Sequence, residues 1–430
     1  MEMLIVEGGR PLAGELTVSG SKNSSLPIVI ATMLSAQKSV LRNIPDLADT
    51  RFLLSLLNSL GVGTSVGAPN EICFDGEKIT SGLAHYDVVR KMRASVLVLA
   101  PLLARLGHAK VSLPGGCAIG TRPVDIHLEG LKQLGAQLEV KEGYIHAFLP
   151  KGSFIGAEFE LPLPSVGATE NLIMAAVLAQ GTTVLSRAAK EPEVVELCEA
   201  LNAAGAQISG YKTGVITIRG VSSISGLNHT IRPDRIEAGT FIALAAATKS
   251  ALRLKDVFVP DLSSVMERFS HAGVKFLHSS SASKNSLVDL DIIPPSRLRA
   301  TDIETSPHPG FPTDVQAQFM AAMALAEGVS TIYERVFENR MMHVPELMRM
   351  GAHIEVHNGV ARVFGQPKLS RAQVMATDIR ASASLVIAAL CAEGRSEIRR
   401  VYHLDRGYEA LEKKLQAIGA NIKRCSQEDF

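Results

Sequence analysis

Apolar and polar positions along this chain repeat with a long and steady period. An apolar residue, a glycine and then Ala or Val recur six times, as Leu60-Gly61-Val62, Leu134-Gly135-Ala136, Ala204-Gly205-Ala206, Ala272-Gly273-Val274, Met350-Gly351-Ala352 and Ile418-Gly419-Ala420. The glycines lie 74, 70, 68, 78 and 68 residues apart. Each follows an amphipathic stretch, such as the one from Glu193 to Ala204, and precedes a strand-like run. A helix stopped by glycine at C′, where the left-handed conformation costs least, and then a strand accounts for the pattern.

A second, almost wholly apolar helix precedes the amphipathic one. The stretches 170–180, 317–327 and 381–393 predict buried helices, ending at Gly181, Gly328 and Gly394 before β-prone segments. The unit is therefore strand, buried helix, strand, amphipathic helix, strand, over about 70 residues. Units that carry their own sheet and helices fit α/β subdomains better than a thin solenoid. Six of them divide naturally into two domains of three. Polar residues 279–286 are expected to form a surface loop.

Composition changes this picture little. The 430 residues carry 44 basic and 43 acidic side chains, a formal net charge of +1, so nucleic acid has no compositional support. Any anionic ligand must be held by local cations. No stretch approaches the roughly 20 apolar residues that span a bilayer. The first residues, Met1 to Val6 and then Gly-Gly-Arg, do not read as a signal peptide. Five scattered cysteines without a Cys-x-x-Cys pair suggest neither a disulfide framework nor a zinc site. A soluble, cytoplasmic chain with no membrane partner is expected.

Candidate chemistry gathers where each unit's first strand meets its buried helix. These junctions read Ser21-Lys22-Asn23, Met92-Arg93-Ala94-Ser95, Ser165-Val166-Gly167-Ala168, Asp234-Arg235-Ile236-Glu237, Phe311-Pro312-Thr313-Asp314 and Asp378-Ile379-Arg380-Ala381. Helix N-termini present unpaired N–H groups and a positive dipole end, so several of them beside Lys22, Arg93 and Arg380 suit a polyanion. Singly, Ser21, Ser165, Asp314 and Asp378 are ordinary helix caps. Repetition at one station favours function. The second unit also has an unusually long loop from Leu113 to His127, with Gly115, Gly116 and Gly120. In it Cys117 lies five residues before Arg122, a guanidinium that would favour thiolate and make Cys117 a proton donor or nucleophile. Asp314, at the head of an apolar helix, suits a base whose pKa the dipole lowers. No GxGxxG, Walker A, HExxH or GxSxG element is present.

Nine ordered segments together resemble the UDP-N-acetylglucosamine 1-carboxyvinyltransferases (UDP-GlcNAc enolpyruvyl transferases) of the EPSP synthase-like family. They are Ser19–Asn23, Met92–Ser95, Leu113–His127, Pro164–Thr169, Pro233–Gly239, Phe311–Asp314, Val336–Arg340, Thr377–Arg380 and Asp405–Tyr408. Ser21, Ser24 and Ser25 stand where alanine is commoner in that family. The resemblance implies an α/β fold, an inside-out α/β barrel of two domains, each with three βαβαββ units. It implies that residues 1–20 and 231–430 form one domain and 21–230 the other, which carries the Cys117 loop, with the active site in the interdomain cleft.

Carried over by residue, the resemblance implies that Lys22 and Asn23 bind phosphoenolpyruvate, with Arg122 and Arg406 on its phosphate and carboxylate. UDP-GlcNAc would meet Arg93, Arg122, Pro123, Val124, Asp125, Ile126, Asp314 and Val336, with Ser165, Val166 and Gly167 near its diphosphate. Cys117 would be the general acid and the residue that fosfomycin alkylates, and Asp314 the base, with Lys22 and Arg406 also catalytic. The implied reaction is the first committed step of peptidoglycan biosynthesis, without metal or organic cofactor. Shikimate-phosphate enolpyruvyl transfer is the alternative, against which the Gly115-Gly116-Cys117 loop speaks. A non-catalytic UDP-sugar-binding relative is a second, and it should have lost some of Lys22, Cys117, Asp314 or Arg406; all four are present.

Overall fold

A computed structural model describes residues 2–90, 92–114, 124–278 and 287–426. These fall into two compact units. One, here the continuous unit, holds the described residues between 20 and 232; the other, the split unit, joins residues 2–19 to the chain from 233 onward.

The third repeat shows the common plan. Strand Glu158–Glu160 leads into helix Val166–Val177, strand Thr182–Ser186, helix Pro192–Ala203 and the hairpin strands Gln207–Ser209 and Val215–Arg219. In the sheet their order is first, second, fourth, third, with the first pair parallel and the others antiparallel. Register places Leu185 opposite Ile216, and Ile208 opposite Ile218, so one face of the sheet is apolar and meets the helices. Among the described residues there are six such four-stranded sheets, three per unit, and their strands do not join into one closed barrel.

The repeats interlock through their missing strands. Strand Asn228–Thr230 supplies the first strand of the first repeat, pairing His229 with Leu41. Strand Gly14–Thr17 does the same for the fourth repeat, pairing Leu16 with Leu254. Strand Glu2–Gly8 inserts into the sixth sheet, antiparallel to Gly394–Arg399 and Asn421–Ser426. The first residues of the chain are thereby committed to the split unit.

Helices lie inside and sheets outside in each unit. Helix Arg235–Thr248 is buried from Ile236 to Ala247, and helix Ile379–Cys391 from Arg380 to Leu390. Their alanines allow close helix contact, and a helix apolar all round has no solvent face to offer. Phe319 in helix Gln316–Met323 is fully buried between Phe269 and Phe311, with ring centroids 5.1 and 5.4 Å away. Truncating it to Ala should cost about 3–5 kcal/mol.

The six glycine signals all become the same helix stop. Gly61, Gly135, Gly205, Gly273, Gly351 and Gly419 have φ between 87° and 103°. In every case the amide of the residue after the glycine closes a six-residue turn onto the helix: Val62 on Leu57, Ala136 on Leu131, Ala206 on Leu201, Val274 on Phe269, Ala352 on Leu347 and Ala420 on Leu415, at 2.9–3.1 Å. The apolar residue after each glycine is buried. The expected ends of the buried helices need correction. They finish at Val177, Met323 and Cys391, so Gly181, Gly328 and Gly394 sit at the entry of the next strand and do not cap. The same helices also begin one to four residues before the apolar runs, at Val166, Gln316 and Ile379, and polar Thr169, Glu170 and Asn171 lie in the core.

Candidate active site

In the split unit the heads of the three buried helices are of two kinds. Asp234 and Asp378 are true caps. Asp234 accepts from the amides of Ile236 and Glu237 at 2.7 and 3.1 Å, and Asp378 from those of Arg380 and Ala381 at 2.8 and 3.0 Å. Asp314 is not a cap, contrary to its reading as one. It lies in a 3₁₀ turn, Thr313–Val315, and its carboxylate turns to two guanidiniums. Arg340 Nη2 donates to Asp314 Oδ1 at 2.5 Å, and Arg380 Nη2 to Oδ2 at 3.2 Å.

Burial opposes ionisation of Asp314, but Arg340 and Arg380, with Arg235 beyond them, outweigh it and hold the carboxyl well below its usual range. The helix dipole is therefore not what sets this group. It contributes about 0.3–1 kcal/mol at an exposed end, whereas close charges in a buried setting contribute more. Arg380 is itself buried and faces the Tyr408 ring, 5.6 Å from its centre. Tyr408 Oη meets Thr240 Oγ1 at 2.9 Å and accepts from Gln318 Nε2 at 3.0 Å, so three helices are tied beneath the carboxylate.

Val336 reaches the same neighbourhood through Glu334, whose Oε1 accepts from the Val336 amide at 2.9 Å. Arg406 ends the 3₁₀ segment Val401–Arg406 and is half-buried. Its neighbour Asp405 is gripped by Arg424, which donates to both carboxylate oxygens at 2.6 and 3.0 Å and to Glu412 at 2.9 and 3.2 Å. Arg424 thus pins the turn that presents Arg406.

In the continuous unit Ser21 and Ser165 cap their helices, accepting from Ser24 N at 3.2 Å and Ala168 N at 3.4 Å. Lys22, nearly buried, pairs with Asp49 at 2.9 Å, and Asn23 beside it is half-buried. Helix Asp125–Gln133 crosses helix Val166–Val177 closely, because a Cβ on Gly130 would stand 2.6 Å from Leu172. The close crossing brings His127 beside Gly167, where a Cβ would lie 3.3 Å from the imidazole. Asn171 Nδ2 meets His127 Nδ1 at 3.1 Å. Burial, the Arg93 charge and a weaker opposing effect of Asp125 bring His127 down to about 4. Arg93, the segment Val124–Ile126, and Val166 with Gly167 are thus one neighbourhood, in which Asp125 is exposed and a neutral imidazole sits at the centre.

Cys117, Arg122 and Pro123 lie outside the described residues, as does the expected loop 279–286. Asp49, His127, Asn171, Glu334 and Arg424 escaped the sequence reading. A charge inside an otherwise apolar run, as at Arg380, is the signal that points to such groups; Glu334, just after a strand, and Arg424, within one, look like ordinary surface charges until the chain is folded.

The sequence profile described as EPSP synthase (3-phosphoshikimate 1-carboxyvinyltransferase) matches residues 6–415. The chain belongs to the EPSP synthase family. Within it, a UDP-N-acetylglucosamine 1-carboxyvinyltransferase of Paracoccus denitrificans is 48% identical over 428 residues, 99% of each chain. Proteins of the same name from Dinoroseobacter shibae and Acidiphilium cryptum are 49% and 50% identical, each over 99% of this chain. Among solved structures, the enolpyruvyl transferase NikO from Streptomyces tendae superposes with a TM-score of 0.88 at 24% identity, covering 98% of both chains. EPSP synthase from Acinetobacter baumannii gives 0.79 at 18% identity over 99% of this chain. Those two likenesses establish the α/β fold. No helix among the described residues is long and apolar enough to cross a membrane.

Proposed function

We propose that this enzyme transfers the enolpyruvyl group of phosphoenolpyruvate to the 3-hydroxyl of UDP-N-acetylglucosamine, releasing phosphate, as the first committed step of peptidoglycan biosynthesis in the cytoplasm. The observation that carries the proposal is full-length identity of 48–50% to carboxyvinyltransferases named for that acceptor.

The chemistry has two halves. In the first, the sugar oxygen bonds to C2 of phosphoenolpyruvate, the hydroxyl proton goes to a base and a proton adds at the methylene carbon. In the second, that carbon gives up a proton, the C–O bond to phosphate breaks and the double bond returns. Asp314 takes the hydroxyl proton and Cys117 delivers the proton to the methylene carbon. Lys22 and Asn23 hold phosphoenolpyruvate, with Arg122 and Arg406 on its two anionic ends. Arg93, Val124–Ile126, Ser165–Gly167 and Val336 receive the nucleotide sugar, together with Arg122 and Pro123.

Asp314 supports this reading by being ionised, and its two arginines define its limits. A carboxylate held so low is a weak base while both guanidiniums bind it. The incoming hydroxyl replaces one arginine contact, and basicity returns as the C–O bond forms.

The test is phosphate release from phosphoenolpyruvate with UDP-N-acetylglucosamine or shikimate 3-phosphate as acceptor. Release with the nucleotide sugar is expected; release with shikimate 3-phosphate alone overturns the proposal. Cys117→Ser is expected to escape inactivation by fosfomycin, and persistent covalent loss of activity would assign the nucleophile elsewhere.

A further inference from the structure

Glu334 is a buried carboxylate that the proposed reaction does not use. It follows strand Val329–Tyr333 and accepts four hydrogen bonds. Oε1 takes Thr305 Oγ1 at 2.9 Å and the amides of Val336 and Phe337 at 2.9 and 3.1 Å, while Oε2 takes Thr313 Oγ1 at 2.9 Å. The two hydroxyls are themselves held by a second partner. Thr305 Oγ1 already accepts from Arg335 N at 2.9 Å, and Thr313 Oγ1 from Arg340 Nη1 at 3.0 Å. Backbone amides can only donate, and each hydroxyl, with one proton and two lone pairs, donates to the carboxylate while it accepts from Arg335 or Arg340. Four donors thus converge on the two carboxylate oxygens.

The network leads to the reacting carboxylate. Arg340 presents Nη1 to Thr313 and Nη2 to Asp314, so the Thr313 oxygen fixes the plane of the guanidinium that grips Asp314. We propose that Glu334 is a positioning residue: through Thr313 it orients Arg340 against Asp314, and through two amides it fixes the Val336 segment, so that the acceptor hydroxyl meets Asp314 in one geometry. This rests on the enolpyruvyl-transfer reading above.

A glutamine side chain in place of Glu334 cannot reproduce the site. Its NH₂ must face either two amides and Thr305 or Thr313 alone, and the second choice wins. Thr313 would then accept from both the new NH₂ group and Arg340, its own proton losing its acceptor, and the Arg340 clamp would loosen.

The experiment compares full-length Glu334→Gln, Thr313→Val, Thr313→Ser and Thr305→Val for kcat, for KM of both substrates and for the pH dependence of kcat/KM. Misplacing a reacting group by about 1 Å costs roughly 100-fold, so Glu334→Gln and Thr313→Val should lose about that much in kcat. Serine keeps the hydroxyl and should stay within about threefold of wild type. Thr305→Val removes a donor from the other oxygen while sparing the Thr313–Arg340 line; it too should stay within about threefold. The acid limb of kcat/KM should move to higher pH in Glu334→Gln, because a loosened Arg340 no longer depresses Asp314 as strongly. Wild-type kcat with an unmoved acid limb in Thr313→Val overturns the inference, and so does an equal loss in Thr305→Val, which would mark a structural role. Asp314→Asn separates the two levels. If it is inactive while Thr313→Val is normal, only the inference fails; if Asp314→Asn turns over normally, the role of Asp314 and the inference fall together.

Discussion

Asp314 in the split unit is half-buried and Glu170 in the continuous unit is buried, both within the first two turns of a buried helical segment, yet their surroundings push the two carboxyl groups in opposite directions. Asp314 has Arg340 and Arg380 within hydrogen-bond reach and stays ionised. Burial drives Glu170 upward, and the nearby acids Glu193 and Glu191 push the same way, so its carboxyl lies well above the usual range. Glu237 falls between them: burial raises it, and Lys414, donating at 2.6 Å, restrains the rise. Asp314 and Glu237 lie in the first turn of a buried helical segment and Glu170 at the start of the second. Desolvation of a charge costs several kcal/mol and the dipole returns about one, so cationic partners decide. A helix N-terminus thus marks where an anion is tolerated, and an arginine decides that one is present.

The largest test of this contrast is Asp314→Asn, which keeps the shape and removes the charge. Phosphate release should fall by about 10²–10⁴-fold, the range for loss of a general base. Next, Arg380→Met removes one of the two guanidiniums that hydrogen-bond Asp314. The broken pair should lower the stability of the split unit by about 3 kcal/mol, the low end for a buried pair because Asp314 keeps some solvent contact. Chemical denaturation would measure this, and an unchanged midpoint would show that the carboxylate does not need the Arg380 contact.

Smaller effects concern the continuous unit. His127 titrates near 4 in the folded protein against 6.5 ordinarily, so between those values the unfolded chain binds more protons. Stability should therefore fall as pH drops through 6.5, by about 2–3 kcal/mol in all by pH 4. His343, also brought down to about 4 by burial, adds the same trend to the split unit. His127→Gln should flatten the decline only in the continuous unit, as seen by hydrogen exchange of helices 125–133 and 166–177. Smallest is Glu170→Gln. A raised acid binds its proton in the folded state and loses stability as pH climbs above about 4.5, so glutamine should add about 1 kcal/mol at pH 8 and little at pH 4. Destabilisation by that substitution at pH 8 would mean that Glu170 is ionised and paired.

Periodicity made the six repeats and their glycine stops legible, because both depend on local rules: apolar spacing within a helix and the cost of left-handed backbone. The heads of the buried helices were legible as a class for the same reason. Their division of labour was not. Ser21, Ser165, Asp234 and Asp378 cap, while Asp314 reaches across to residues 26 and 66 positions further along. Similarity of motifs pointed to Asp314 and Arg406 without showing that Arg340, Glu334 or Arg424 hold them in place. The apolar pattern took Glu170 into a buried helix without showing that Glu193 and Glu191 lie near enough to push its carboxyl up.

The amino-acid order by itself determined the repeated strand–helix units, their stops and the family to which they belong, since these arise from contacts near in sequence. Only the tertiary structure decided which strand completes which sheet, which acid is charged and which side chains orient it. Those outcomes depend on burial and on partners tens to hundreds of residues away, and the strength of a charge's interactions is set by surroundings that exist only once the chain has packed.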